Sequence, residues 1–491
     1  MEIVLIIIYG LTLSFIFLYS IVQINLVINY LRNNKKEDRL NPIDKDALPF
    51  VTIQLPLYNE LYVVERLIDS ITKFDYPKDK FEIQILDDST DETVEIVAKK
   101  VAEYKALGFN IYQHRRETRV GYKAGALKEG LEIAKGEFIA IFDADFLPKA
   151  EFLTKTLPYF KDEKIGVVQT KWEHLNKNYS LLTRLQAFGL DAHFTVEQTG
   201  RNFGNHFINF NGTAGIWRKS CIEDAGGWEA DTLTEDLDLS YRAQLKGWKF
   251  KYLEELGSPA ELPAAMNALK TQQFRWTKGA AECTRKNLLK VLKNKELPFR
   301  TKLHALFHLM NSSIFICIVL LSVLSIPMLM IKNNFVEYDL LFKLGSFFII
   351  SVIFLSVYYF VSLSSSYENK LKAFVHFILL FPLFLSVSMG LSLHNAIAVI
   401  EGYMGKKSPF IRTPKFNIID SKDIWKKNKY LVSSVSFLTV FEFLLTIYFL
   451  FGILSAFHYN DFTLIPFHIM LFLGFGYVTF YSLFHSRKSI K

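Results

Sequence analysis

Asp143 and Asp145 end the apolar run Phe138-Ile-Ala-Ile-Phe142. Two carboxylates at this spacing suit a divalent cation, since Mg2+ typically takes one or two carboxylates plus substrate phosphates. Side chains alternate along an extended strand, so residues two apart project to one side. A plain strand followed by a solvated turn has the same spacing, so the rest of the chain decides its meaning. A second acidic pair, Asp87-Asp88, follows the apolar run Phe81–Leu86. Gly121-Tyr-Lys-Ala-Gly-Ala-Leu127 opens a helix beside Arg119, where backbone N–H groups and the helix dipole favour phosphate near Lys123. The alternative for Lys123 is a solvated surface lysine. Phe210-Asn-Gly-Thr-Ala-Gly215 is a Gly-rich turn suited to close backbone approach to a ligand. Thr234-Glu-Asp236 begins a helix in which Thr234 is an N-cap candidate, and its acids suit either capping or catalysis. Gln272-Gln-Phe-Arg-Trp276 sets Gln272, Arg275 and Trp276 on neighbouring turns of one helix. Arg275 can simply stack on Trp276, or the two can wall a sugar site with Trp276 as platform and Gln272 as hydrogen-bonder.

These residues need elements that bring them together. Residues 50 to 260 alternate short apolar runs with helical patterns, the mark of a βαβ sheet. Strands are expected at Phe50–Leu55, Phe81–Leu86, Asn110–His114, Phe138–Phe142 and Val167–Trp172. Helices are expected at Leu61–Phe74, onward from Asp91 through Tyr104, from Gly121, and at Leu237–Leu245. Ligands of open α/β sheets bind at the carboxyl ends of the strands, so Asp87, Asp88, Asp143 and Asp145 are expected on one rim. Unpaired, four carboxylates would repel and shift each other's pKa, so a metal or a cationic side chain must relieve them.

Half of the 491 residues are hydrophobic, 45 of them phenylalanine, and the apolar excess concentrates at residues 1 to 31 and after Met310. Ile3–Ile28 is apolar, uncharged and long enough to cross a bilayer, for which about 20 residues suffice. It lacks the basic start and small-residue cleavage site of a signal peptide. Arg32, Lys35, Lys36 and Arg39 follow it and put residue 40 onward in the cytosol. Leu297–Met310 is amphipathic and basic, which suits the interface. Asn311–Ile331, Leu341–Leu363, Leu431–Phe457 and Leu464–Phe484 read as spans. Ala373–Ile400 is apolar but carries His376, Pro382, His394 and Asn395. It lies between Lys370 and Lys372 on one side and a 405–430 segment with eight Lys or Arg and two acids on the other. Crossing there would put that basic segment outside, so a re-entrant or interfacial piece and five crossings are expected, with the tail Arg487–Lys491 inside. The net charge of +8 is assigned to these flanks and to phosphate binding, and no nucleic-acid partner is expected. Cys221, Cys283 and Cys317 have no paired spacing, which fits a reducing compartment and no structural zinc.

Taken in order, Asp87-Asp88, Asp143-x-Asp145, Thr234-Glu-Asp236 and Gln272-x-x-Arg275-Trp276 resemble the D, D-x-D, T-E-D, Q-x-x-R-W signature of processive family 2 glycosyltransferases. These are the cellulose, mannan, chitin and hyaluronan synthases. The strings LDDSTD, GYKAGALKEG, AIFDADF, DAHFTVEQ, FNGTAG, GGW and ELPA are most similar to plant cellulose-synthase-like mannan and glucan synthases. The resemblance implies an α/β nucleotide-sugar-binding domain of GT-A type at 40–300, after a transmembrane helix at 1–31. An α-helical membrane domain would follow at 301–491. It implies that Asp87, Asp88 and Lys123, with Arg119 and Asp143, hold the donor, and that Asp143 and Asp145 hold Mg2+ or Mn2+. Asp236 would be the catalytic base beside Glu235, and Thr234, Gln272, Arg275 and Trp276 would bind the acceptor. Phe410-Ile-Arg-Thr-Pro-Lys415 resembles the F-x-V-T-x-K gating loop of cellulose synthases, with Arg412 where Val is usual and Pro414 inserted. Phe410, Arg412, Thr413 and Lys415 could then close over the donor diphosphate as a lid. The chemistry agrees with the resemblance: a metal and Lys123 can stabilise a leaving diphosphate, and one carboxylate must deprotonate the acceptor hydroxyl. A single base implies inversion. The expected activity is polymerisation and export of a β-linked mannan or glucan from GDP-mannose or UDP-glucose, in a bacterial inner membrane with the catalytic domain cytosolic. The alternative is transfer of one hexose to a lipid, as in ceramide glucosyltransferases.

Overall fold

The computed structural model describes residues 1–33, 43–419, 423, 428–430 and 436–486. Of the charged flanks weighed above, Lys35, Lys36, Arg39, Lys422, Lys426, Lys427 and Arg487–Lys491 lie outside the described residues. A seven-stranded sheet runs β3-β2-β1-β4-β6-β5-β7. Its strands are β1 (Val51–Leu57), β2 (Phe81–Asp87), β3 (Ile111–His114), β4 (Phe138–Ile141), β5 (Ile165–His174), β6 (Gly215–Arg218) and β7 (Lys249–Ala260). The first four are parallel, as the alternating pattern predicts. The sheet then turns mixed, because β6 lies antiparallel between β4 and β5. Polar residues inside the strands are matched across the ladder: Thr52 donates to Glu82 (2.7 Å) and Gln54 to Gln84 (2.9 Å). Buried polar groups persist where such partners exist. An apolar layer from Val51, Ile53, Ile83, Phe142 and Phe152 packs one face, and Leu127, Ile139, Trp217 and Leu239 pack the other.

Four helices carry or frame the residues singled out above. Tyr122–Glu132 holds Lys123, and Leu181–Ala192 holds Phe188. Glu235–Leu245 holds Asp236, and Met266–Lys293 holds Gln272, Arg275 and Trp276. They are named below by Lys123, Phe188, Asp236 and Trp276.

Six helical stretches among the described residues are long and apolar enough to cross a membrane: Glu2–Arg32, Asn311–Asn334, Val336–Ser365, Lys370–Gly390, Leu438–His458 and Ile465–Ser486. Their packing distinguishes the fourth. Lys332 pairs with Asp461 (2.7 Å) at one end of the bundle. At the other end Lys270 of the Trp276 helix pairs with Glu442 (2.7 Å), and Met266 N donates to His485 Nδ1 (3.0 Å). The 438–458 and 465–486 helices therefore run from one face to the other and back. Lys370–Gly390 instead breaks at Leu391 and returns as Ser392–Met404. Met389, at the bend, packs with Leu471 and with Phe449 and Phe475, the last two midway along the neighbouring helices. Gly390 crosses Gly474 so closely that a Cβ would lie 2.3 Å from its carbonyl oxygen. Both arms of this hairpin contact the catalytic domain. Phe377 and Phe381 pack on Phe188, and a Cβ on Gly402 would lie 2.6 Å from Lys278 O.

Candidate active site

One cavity opens where the carboxyl ends of β1, β2 and β4 meet the starts of the Asp236 and Trp276 helices. Asp88, Arg119, Lys123, Asp143, Asp145, Thr234, Glu235, Asp236, Gln272, Arg275 and Trp276 line it. So do Phe410, Arg412, Thr413 and Lys415 of the segment expected from the sequence to act as a lid. Of the residues expected to act in catalysis, in donor, acceptor or metal binding, or in the lid, Asp87 alone is not among the lining. It is buried at the end of β2, where its Oδ1 accepts from Ser89 N (2.9 Å) and its Oδ2 from Gln113 Nε2 (2.7 Å). Asp87 therefore shapes the loop that presents Asp88. Asp88 Oδ1 accepts from Arg116 Nε (2.9 Å), and Arg119 lies 3.4 Å over the Tyr58 ring.

Asp143 and Asp145 sit beyond β4 in a turn, closed by Phe146 N donating to Asp143 O (3.1 Å). Strand alternation therefore does not explain why both reach the cavity; the turn does. Lysines from opposite sides relieve their repulsion. Lys123 Nζ donates to Asp143 Oδ1 (2.5 Å) and to Gly212 O (2.8 Å). Lys415 Nζ donates to Asp145 Oδ2 (2.6 Å) and to Glu261 O (3.1 Å). Burial lowers the Lys123 pKa, but Asp143 and the nearby Glu235 and Asp236 outweigh it and raise the net value. Two cavity carboxylates, each engaged by one displaceable ammonium, fit a divalent cation that completes its shell with phosphate oxygens. Among the described residues, the one convergent group of three acids, Glu229, Asp231 and Asp238, lies elsewhere and is gripped by Lys286 (2.6, 2.8 and 2.9 Å).

Asp236 faces the cavity from the first turn of its helix. Burial raises its carboxyl pKa and the negative charge of Glu235 raises it further, against the pull of Lys123. Burial raises Glu235 as well. Gly212 stands opposite, with φ +79°, and a Cβ there would lie 2.9 Å from Asp236 Oδ2. The backbone thus favours glycine, and a Cβ would also push the Asp236 carboxylate aside. Thr234 holds the N-cap position without side-chain capping; its Oγ1 lies 3.4 Å from Cys283 Sγ. The Trp276 helix is the reason, since it presses so close that a Cβ on Gly279 would lie 2.6 Å from that hydroxyl.

Trp276 meets Trp172 at 6.4 Å between ring centroids, and Trp172 stacks on Phe194 at 4.8 Å. These rings form an aromatic wall beside Gln272. Arg275 does not stack on Trp276. Its guanidinium lies 4.4 Å over Phe410, and Nη1 donates to Ile411 O (3.3 Å), so it holds the lid. The lid is pinned further along by Arg412 against Glu60 (2.8 Å) and by Phe416 N and Asn417 N donating to Glu261 (2.7 and 2.9 Å). Burial pushes the Glu60 carboxyl up to about 7 against the pull of Arg412. Trp172, Gly212, Glu60 and Glu261 were not singled out as site residues in the sequence, although the first, second and last stand in strings already noted and Glu60 directly precedes the expected helix at Leu61. Arg116 carries no motif signal.

The profile of the family described as "Glycosyltransferase like family 2" matches residues 49–279. "Glucomannan 4-beta-mannosyltransferase 9" of Arabidopsis thaliana is 35% identical over 434 residues, covering 84% of this chain and 77% of the relative. "Glucomannan 4-beta-mannosyltransferase 1" of Oryza sativa subsp. japonica is 40% identical over 303 residues, covering 59% and 58%. Against two further relatives from Oryza sativa subsp. japonica the match spans about half of their length, 48% and 46%. A mannosyltransferase from Pyrobaculum calidifontis, solved in complex with GDP-Man and Mn2+, superposes with a TM-score of 0.56 at 18% identity. It covers 82% of this chain and 100% of that chain, a likeness of fold.

Proposed function

From the premise that this chain belongs to the family 2 glycosyltransferases, of the cellulose-synthase-like mannan synthase type, we propose that it polymerises a β-linked, mannan-type polysaccharide from a nucleotide sugar. GDP-mannose is the first donor to test and UDP-glucose the second. The observation that carries this reading is the convergence of Asp88, Lys123, Asp143, Asp145, Asp236 and Trp276 on one cavity under a lid. The relatives named for glucomannan synthesis favour a polymer over transfer of a single sugar to ceramide.

The geometry supports the following roles. Asp143 and Asp145 would hold Mg2+ or Mn2+, which when bound supplies a positive charge to the leaving diphosphate. Lys123, next to Asp143 at the start of its helix, turns toward phosphate oxygens as the donor enters. Asp88 and Arg119 face the nucleoside. Arg412, Thr413 and Lys415 close over the phosphates and exclude water. Asp236 takes the proton of the acceptor hydroxyl, and its buried, raised carboxyl is a stronger base than a solvated one. Trp276, backed by Trp172, offers a face to the acceptor sugar, and Gln272 a hydrogen bond. Attack opposite the leaving group inverts the anomeric centre, so an α-linked donor yields a β-linkage.

Five crossings complete the reading, with the 370–404 hairpin re-entrant from the catalytic side. The mid-bundle position of Met389 supports this. The chain is an integral membrane protein with several apolar helices. The glucomannan mannosyltransferases it resembles come from the plants Arabidopsis thaliana and Oryza sativa, so they lend no support to the expected bacterial inner membrane. The deciding experiment is turnover of the purified full-length protein on a panel of nucleotide sugars with Mg2+ or Mn2+, reading nucleotide release and product length together. A ladder from GDP-mannose is the expected result, and a single-sugar lipid would overturn the polymerase reading.

A further inference from the structure

Lys278 lies on the Trp276 helix one turn after Arg275, and the chemistry above makes no use of it. Its side chain is 0% exposed. Nζ donates to Glu401 Oε2 (3.1 Å), near the end of the 392–404 helix, and to Ser408 Oγ in the lid. The other Glu401 oxygen accepts from Lys406 Nζ (2.5 Å). Just beyond, Gly405 ends the helix at φ +73° and the lid segment begins. A buried ammonium is tolerated only where a countercharge and hydrogen-bond acceptors meet it. Here both partners belong to the root of the lid. One turn earlier on the same helix, Arg275 grips the middle of the lid at Phe410 and Ile411. The helix that walls the acceptor side of the cavity therefore holds the lid at two points.

We propose that Lys278 is a positioning residue, the fixed pivot about which residues 405–415 close over the donor, so that the lid and the acceptor wall keep one register. Closure over a donor rests on the function proposed above; the tether itself does not.

The test uses full-length protein in lipid nanodiscs, comparing Lys278→Met, Glu401→Gln and Ser408→Ala with the parent. Tryptic cleavage after Lys406, Lys407, Arg412 and Lys415 is followed by mass spectrometry without donor. Donor KM and kcat are measured separately with GDP-mannose and UDP-glucose. Each variant is expected to speed cleavage within 406–415 about tenfold with other sites unchanged, and to raise donor KM about tenfold while kcat changes less than about threefold. Unchanged lid cleavage would overturn the pivot, and so would faster cleavage everywhere, which marks a merely structural role. If Lys278→Met does not fold, Ser408→Ala decides, because it removes only the lid end of the contact. A protein inert on both donors, but with its lid protected through Lys278, would refute the proposed function and closure over a donor, and leave the tether standing.

Discussion

Asp236 is where burial and chemistry meet most directly. Replacing it with Asn keeps size and removes basicity, so transfer should fall by about a hundredfold or more while donor binding persists. Nucleotide release and equilibrium dialysis read the two effects separately. Its raised carboxyl pKa also fixes a pH profile. A base works only when ionised, so if Asp236 has the role proposed for it, kcat should climb with pH above the ordinary carboxylate range. Glu235→Gln, which removes the neighbouring negative charge, should move that limb to lower pH. The same shift has a stability sign. An acid whose folded pKa exceeds its unfolded value binds its proton more tightly when folded. Without donor, the thermal midpoint should therefore fall as pH rises from the ordinary carboxylate range through the raised one, and Asp236→Asn should flatten that slope. At this scale the sequence displayed residue types well and local duties poorly. Asp87 and Asp88 are adjacent and identical, yet Asp87 is spent on Ser89 and Gln113, a choice set by partners on β3 and its own loop. Thr234 looked like a cap and was turned aside by a helix that starts more than thirty residues later.

Elements decide which of these residues can meet. The Gly212 turn brings the backbone against both Lys123 and Asp236, and its positive φ strains any L side chain. Gly212→Ala should cut transfer about a hundredfold with little loss of overall fold, as transfer assays beside circular dichroism would show. The tie between the Trp276 helix and the 438–458 helix is a buried pair, Lys270 with Glu442. Glu442→Gln leaves an ammonium without its countercharge, which costs about 3–5 kcal/mol. A large drop in thermal midpoint is expected. The parallel half of the sheet was legible because long apolar runs ended in turn residues. The strand β6 was not, since four residues, Gly-Ile-Trp-Arg, carry no alternation and are held by neighbours on both sides. The re-entrant placing of 370–404 was argued from charge rather than hydropathy, because the length and composition of its first arm also fit a span.

For the whole molecule, the ion pairs at opposite ends of the bundle give the proposed orientation a direct check. Asn460 lies beside the Lys332–Asp461 end, and Ile419 beside the lid. Asn460→Cys in sealed cells should react with an impermeant maleimide from outside, and Ile419→Cys only after permeabilisation. The reverse pattern would invert the topology. The charges of the cavity bear on the molecule as a whole too. Asp143 and Asp145 each hold a lysine, and Glu60 and Asp88 each hold an arginine, all from the protein itself. The pocket is thus already close to electrically balanced. A dianionic donor entering alone would upset that balance, whereas one escorted by a divalent ion arrives nearly neutral and can trade places with the lysines in a single exchange.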